Sequence, residues 1–579
     1  MNSKIDPSPI STARFIAAAF AEYNAQFRAT TRRAPQRFDA RDWRASQRDA
    51  VERIELYDRF VNSTVAHLRE RLGAAALAPE MWRAIKTEFT ALIEPLPDSE
   101  FTKTFYSSIS RRLFGTVGVN PDLEYIALDL DPLAGIAGQV LTNSYTNRGS
   151  LALLVEEILT DFRFRTPYRD FDRSVEYVAH EIASHCTTAA ERRMVTAVEI
   201  IRPVFFQQTR AYLVGRVTGR GWQLPLAIAL KNTERGVLVD AVLLAEDDVS
   251  VVFSFTRSYF HVDLERVGEA VLFLKSILPR KPVSELFTVL GRAKQGKTER
   301  YRHFFRHLGS DRGERFVHAE GERGMVMVVF TLPSYPLVFK LIRDKFAFPK
   351  ESVRAEVMQK YTMVFRHDRA GRLVDAQEFR WLRFPRAQFA PALLDELLVC
   401  CSETAQLDGD DLVIAHCYVE RRMRPLNLYL READAEAARR AVVDYGQAIR
   451  DLAASNIFPG DLLLKNFGVT GHNRVIFYDY DELCLVGECR FRDLPDDDGN
   501  GSETFYVGPL DVFPEQFPRF LGMNESQRQA LLEAHADIFT VRWWQDLQQA
   551  FAAGLLVDVP PYSEQVRLKA QTFDFPAGQ

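Results

Sequence analysis

Residues 456–482 read NIFPGDLLLKNFGVTGHNRVIFYDYDE, and the spacing of four polar residues in this stretch decides how the C-terminal half is read. Asp461 and Asn466 are five residues apart, and Asp479 follows thirteen residues after Asn466 at the end of the apolar run 475–478. A hairpin between Asn466 and Asp479 would bring an amide oxygen and a carboxylate to one point. Hard oxygen donors of this kind suit Mg²⁺ or Mn²⁺. Asp461, placed before them, is the candidate to accept a hydroxyl proton. Lys465, four residues on, is close enough to meet a transferring phosphoryl group. Residues two apart in an extended segment point the same way. Asp481 therefore places a second carboxylate beside Asp479, where it would orient water.

The reading extends outward to the ribbon at 315–345, which reads strand, turn, strand, turn, strand. Ala319, Glu320, Gly321, Glu322, Arg323, Gly324 and Met325 form a Gly-x-x-Gly turn whose backbone can approach phosphate oxygens without Cβ interference. Sixteen residues after Gly324, Lys340 lies in the apolar strand PLVFKLI. An amine between Phe339 and Leu341 needs a partner: nucleotide phosphates, and a carboxylate of the following helix. Glu356 is preferred for that carboxylate over Glu351. Turn, strand lysine, D-x-x-x-x-N loop and later aspartate, in this order, are the parts of a protein-kinase site. Two departures stand out: Pro459-Gly460 precedes Asp461 in place of His-Arg, and Tyr480-Asp481 follows Asp479 in place of Phe-Gly.

The whole chain of 579 residues carries 73 Lys and Arg against 78 Asp and Glu, a net charge of −5. That balance argues against a dedicated nucleic-acid binder. Six cysteines without a C-x-x-C pair make no disulfide framework, and a reducing cytoplasm is expected. No apolar run approaches a membrane span. The run Phe15–Ala21 is followed at once by Glu22 and reads as an amphipathic helix rather than a leader. The pattern predicts an α+β protein: a regulatory domain over 1–310, mostly helical with a β-rich insertion near 196–262, then a bilobal kinase-like domain over 311–579. Its lobes are expected at about 311–420 and 421–579. AYLVGRV and LPLAIALK flank Thr218-Gly219-Arg220-Gly221 as a hairpin, and 236–255 reads as further strand.

A rival phosphate site exists. Gly291 to Thr298 fits G-x-x-x-x-G-K-T letter for letter and would make the protein a P-loop ATPase using Lys297. Such a loop needs a buried strand before it, and residues 283–290 instead carry helical spacing. A further alternative is a kinase-shaped module without activity, against which the presence of Lys340, Asp461, Asn466 and Asp479 argues. His180 and His185, five apart, would diverge on a helix and are a poor zinc pair.

The segments AEGERGMVMVVFTLPSYPLVFKLIRDKFAFPK, HDRAGRLVDAQEF and NIFPGDLLLKNFGVTGHNRVIFYDYDE resemble those of bacterial isocitrate dehydrogenase kinase/phosphatases, along the whole length. The resemblance implies a bifunctional enzyme that phosphorylates one serine of isocitrate dehydrogenase and removes the same phosphate, setting flux between the citric acid cycle and the glyoxylate bypass. It implies ATP or ADP with Mg²⁺ or Mn²⁺, an AMP-binding N-terminal domain, and an ATP-binding segment at Ala319–Met325 with Lys340. It also places an active-site aspartate at Asp375, where spacing favours Asp461; both are carried. The substrate-recognition loop would fall at about 491–515. A dimeric substrate would suit a homodimer.

Overall fold

The computed structural model describes residues 8–568 except 97–98, 129, 135, 137, 188–193, 255–258, 311–312, 349, 351, 368, 495–505 and 564–565. It divides into two compact units. One comprises residues up to 309 together with the stretch from 560, the other residues 310–559.

In the first unit, helices Pro9–Thr31, Trp43–Leu72, Pro79–Ile93 and Ser99–Phe114 enclose one core. Ile16, Phe20, Tyr23 and Phe27 recur every three to four residues and are buried, as are Trp82, Ile85, Phe89 and Ile93. This is the apolar stripe of helices facing a common interior. Asp42 starts the second helix by accepting the Ala45 N–H at 3.1 Å.

Beside this core stands an antiparallel sheet: β1 (Thr142–Thr146), β2 (Val195–Ile201), β3 (Phe205–Gln207), β4 (Arg210–Gly219), β5 (Trp222–Thr233) and β6 (Gly236–Leu243). Its order is β1-β2-β4-β5-β6, with β3 beside β4. The β4–β5 hairpin closes through Arg220-Gly221, and Gly221 takes φ +75° there. Alternate residues bury both faces. Ala211, Leu213 and Val217 pack with Val155, Ile158 and Val178 of helices Leu151–Asp161 and Phe171–Thr187. Tyr212 and Val214 pack with Val249, Val271 and Leu274 on the other side.

The sheet thus spans 142–243 rather than 196–262. Residues 246–252, read from sequence as strand, form a helix whose first turn carries Glu246, Asp247 and Asp248, charges that suit the positive end of a helix.

The P-loop reading fails here. Residues 283–289 are helical, Gly291 turns the chain at φ +88°, and Gly296, Lys297 and Thr298 lie inside helix Ala293–Gly309. Gly296 serves packing: a Cβ there would lie 2.2 Å from Thr288 Oγ1 and 2.4 Å from the Ser284 carbonyl oxygen. The phosphate cradle needs a strand–loop–helix, and this is helix–turn–helix.

Asp240 ties the stretch from 560 into this unit. It accepts from Arg210 Nε at 3.0 Å, Tyr562 Oη at 2.5 Å and Arg567 Nη2 at 3.0 Å. The sequence had assigned these last residues to the second domain; they pack with the first because a buried carboxylate in β6 claims two of their side chains.

The second unit opens with a mixed small lobe: β7 (Val317–His318), β8 (Met327–Thr331), β9 (Leu337–Ile342), helix Arg354–His367, β10 (Gln377–Pro385), β11 (Ala405–Asp408) and β12 (Asp411–Arg421). The antiparallel order is β10-β12-β9-β8-β7, with β11 on β12. One face carries Phe330, Phe339 and Phe384 around Phe316. The other carries Lys340 and Tyr418, paired across β9 and β12, with Glu420 two residues along on the same side.

The large lobe follows: β13 (Arg424–Pro425), helix Ala435–Ala454, β14 (Ile457–Phe458), β15 (Phe467–Val469), β16 (Val475–Phe477), β17 (Cys484–Leu485) and helices Glu525–His535 and Val541–Ala552. Asp434 caps the Ala435–Ala454 helix, which buries Val442, Tyr445, Ile449 and Leu452. Buried Arg372 staples that helix to β16, bonding Asp444 at 2.8 Å, Asp451 at 2.7 Å and the Val475 carbonyl at 2.9 Å.

Among the described residues, no helix is long and apolar enough to cross a membrane.

Candidate active site

The site lies where β9, the loop after β14 and the chain after β16 meet within the second unit. Pairing of β14 with β17 sets the loop against the Asp479–Glu482 segment, since Phe458 faces Cys484. Gly460 makes that approach feasible. It adopts φ +89°, and a Cβ would lie 2.5 Å from Glu482 Cβ and 2.6 Å from the Glu482 carbonyl oxygen. A Pro-Gly-Asp in place of His-Arg-Asp therefore has a steric reason.

Asp461 follows at once. Its Oδ1 accepts from Leu463 N at 3.2 Å and from the Asn466 side-chain amide. Asn466 is buried, in a short 3₁₀ turn just before β15. Hairpin β15–β16 pairs Phe467 with Phe477, which returns the chain to Asp479. Asp479 and Asp481, two residues apart where the chain enters a bend, act on one another electrostatically. Burial, then the Asp481 charge, pushes Asp479 up to about 8 in spite of Lys340. Asp461 is also raised, by burial first and by Glu482 and Asp481 after it, with the Leu463 N–H opposing.

Lys340 is held from three sides. Its Nζ lies 2.6 Å from Glu420 Oε1, donates to the Tyr478 carbonyl at 2.8 Å and sits 5.0 Å from the Tyr478 ring centroid. Glu420 is 2% exposed, and burial raises its pKa, with Lys340 opposing and Asp375 adding to the rise.

This corrects the pairing expected from sequence. Glu356 is exposed and accepts the Val353 N–H, just ahead of its own helix, at 3.2 Å. The inward face of helix Arg354–His367 is Val357, Tyr361 and Val364, so Glu356 points elsewhere. What that face offers the site is aromatic: Tyr361 stacks on Tyr418 at 3.8 Å and meets Tyr480 edge-on at 5.0 Å.

Asp375 joins the site by a route no local spacing reveals. Leu373 bridges Phe477 in parallel, with Val374 N donating to the Phe477 carbonyl at 3.2 Å. Parallel chains run on together, so Asp375 and Asp479 each lie two residues past the bridge. Asp375 accepts from Gln377 Nε2 at 3.0 Å and acts electrostatically on Glu420.

The turn Ala319–Met325 is fixed by its side chains. Glu320 pairs with Arg424, Glu322 with Lys465 at 3.0 Å, and Arg323 lies 3.6 Å from Glu396. Ala319 N donates to the Val329 carbonyl at 3.0 Å, and the Gly324 carbonyl accepts from Arg343 Nε at 3.3 Å. Gly321 takes φ +114° and Met325 is exposed. What this turn offers a phosphate is its main chain. Lys465 links turn to loop.

Two residues were missed by sequence reasoning. Glu420 is the carboxylate partner of Lys340; a buried acid closing the apolar run HCYVE was the available signal. Lys350 contacts Asp481 Oδ2 at 3.0 Å and also Glu482.

Asn466 and Asp479 offer the oxygen donors for Mg²⁺ or Mn²⁺. Among the described residues no three His, Cys, Asp or Glu side chains form a cage of their own. Mg²⁺ characteristically takes one or two carboxylates and completes its shell with phosphate oxygens and water. A carboxyl kept protonated near neutrality by burial first and neighbouring acids second is one that a cation would ionise, so the residues fit the ion.

The comparisons with known proteins agree along the chain. A family model described as the regulatory domain of isocitrate dehydrogenase kinase/phosphatase (AceK) matches residues 13–312, and one described as its kinase domain matches residues 314–564. The isocitrate dehydrogenase kinase/phosphatase of Xanthomonas euvesicatoria pv. vesicatoria (strain 85-10) is 49% identical over 565 residues, covering 96% of this chain and 97% of that protein. That of Anaeromyxobacter sp. (strain Fw109-5) is 48% identical over 558 residues, with the same coverage.

Proposed function

This chain belongs to the isocitrate dehydrogenase kinase/phosphatase family, and on that premise we propose that one site in the second unit both phosphorylates a serine of isocitrate dehydrogenase and hydrolyses the phosphoserine it has made. The protein is a bifunctional kinase and phosphatase. The observation that carries the single-site reading is the meeting of Lys340, Asp461, Asn466 and Asp479, contributed by three separate stretches of chain.

In the transfer direction the adenine lies against the backbone that follows β12, at 422–423. Lys340, aligned by Glu420 and Tyr478, holds phosphate oxygens, and the main chain of Gly321–Gly324 covers them. Asn466 and Asp479 would hold Mg²⁺ or Mn²⁺, which would neutralise charge on the phosphates. Asp461, oriented by the Asn466 amide and the Leu463 N–H, accepts the serine proton. Lys465 steadies the moving phosphoryl group, exchanging Glu322 for it. Catalysis of this kind is mostly positioning and charge compensation.

In the hydrolytic direction Asp481 directs water at the phosphorus while Asp461 and Asp375 shape the same pocket. Glu356 has no part in either direction.

The remaining elements of the proposal rest on the family. AMP acts through the N-terminal unit, and the two activities set flux into the glyoxylate bypass; the cytoplasmic location follows instead from the cysteine usage, and a homodimer from a dimeric substrate. The substrate-recognition stretch at 491–515 falls in part, at 495–505, outside the described residues.

The test is Asp461→Ala, which should cut phosphate transfer to purified isocitrate dehydrogenase by ~10²–10⁴, the worth of a general base. Near-normal turnover would remove Asp461 from that role.

A further inference from the structure

We propose that Lys350 is a positioning residue for the hydrolytic direction, its ammonium fixing the Asp481 carboxylate in the attitude from which water is directed at phosphoserine. The inference rests on the site reading above and adds a residue to it.

The observation is a cation in an acidic cluster. Asp461, Asp479, Asp481 and Glu482 act on one another electrostatically. Lys340, on one flank, is committed to Glu420 and the Tyr478 carbonyl. Lys350 is on the other. Its Nζ lies 3.0 Å from Asp481 Oδ2 and contacts Glu482, and its side chain is only 16% exposed. Asp481 and Glu482 lie in a bend that turns both side chains towards the same ammonium. One ammonium that reaches both Asp481 and Glu482 therefore restrains the segment as well as the side chain.

Geometry sorts the two directions. Asp461 is oriented by groups of its own loop, Asn466 and Leu463. Asp481 takes its orientation from Asp479 on one side and Lys350 on the other. Lys350 comes from the segment between β9 and helix Arg354–His367, in the small lobe, whereas Asp481 belongs to the large lobe. Lys350 reaches Asp461 through its charge and Asp481 through a direct contact, so removing the ammonium leaves the proton acceptor of transfer with both of its hydrogen bonds and the carboxylate that aims water with one of two partners. A lysine that merely tethered its own stretch of chain would affect both directions alike.

The experiment measures phosphate transfer to isocitrate dehydrogenase and phosphate release from the phosphorylated enzyme, using full-length wild type, Lys350→Met and Lys350→Arg. Lys350→Met should lower release at least ~10-fold more than transfer, the scale of losing one preorganised charge, and Lys350→Arg should recover most of that difference. Equal loss in both directions would overturn the assignment, and so would no loss in either. Affinity for a fluorescent ADP analogue, read in parallel, separates loss of the site from loss of the water step. Collapse of ADP binding in Lys350→Met would also overturn it. A wild-type protein that transfers phosphate but never releases it would overturn the two-direction reading of the site, and the role of Lys350 with it.

Discussion

Asp240 in the first unit and Asp479 in the second are both carboxylates withdrawn from water, and they have opposite surroundings. Asp240 is met by Arg210, Arg567 and the Tyr562 hydroxyl; burial opposes its ionisation, but the two guanidinium groups win and hold its pKa below the usual range. Asp479 is met by Asp481 and Asp461, with Lys340 opposing them, and burial together with the acids raises it to about 8. A carboxylate with its countercharges built in is a structural joint. One surrounded by further carboxylates is a place prepared for a cation and the phosphates that come with it.

That contrast can be broken or sharpened by substitution. The largest effect on activity is expected at the lysine facing Asp479. Lys340→Met should reduce kcat/KM for transfer by ~10²-fold or more, since a preorganised charge on the phosphates is lost; steady-state phosphorylation of isocitrate dehydrogenase reads it. At the structural joint, Arg210→Met strips Asp240 of a buried partner and should cost ~3–5 kcal/mol, seen as a lower urea midpoint for the first unit.

Asp479→Asn should act in the other sense. The folded pKa of Asp479, about 8, lies above the ordinary aspartate value of 3.8, so the folded state holds a proton that the unfolded state releases. The associated stability is full below pH 4 and drains away as pH rises to about 8. Asparagine removes that loss. In chelator-treated protein at pH 8 the variant should melt ~2 °C or more above wild type, and the difference should vanish near pH 4. A variant melting lower at pH 8 would mean that Asp479 is ionised in the metal-free site. The smallest effect is expected at Glu356, exposed and capping its own helix: Glu356→Gln should change stability by less than ~0.5 kcal/mol and leave ATP binding as it was.

What the sequence disclosed followed the range of the interaction. Asp461, Asn466, Asp479 and Asp481 are readable because a loop and a hairpin, both local, bring them together. Lys340 is readable because an amine in an apolar strand demands an explanation. Glu420 and Asp375 depend on strand pairings across many residues, β9 with β12 and Leu373 with Phe477, and no spacing rule reaches that far. Glu356 was preferred although the helix phase speaks against it: Val357, Tyr361 and Val364 define the buried stripe, and their neighbour Glu356 falls outside it. Lys350 lies in a connection without periodicity, so its meeting with Asp481 had no pattern to announce it. In the first unit the acidic run at 246–248 was a helix start overlooked among apolar residues, and the P-loop letters were a packing glycine between two helices.

The central claim is that transfer and release use one set of groups. The direct test follows phosphate incorporation into purified isocitrate dehydrogenase, and phosphate release from the phosphorylated form, with Asp479→Asn beside wild type. The account predicts that both fall together, by ~10²-fold or more. Release persisting at the wild-type rate while transfer is lost would show that the two reactions occupy different places, and would contradict it.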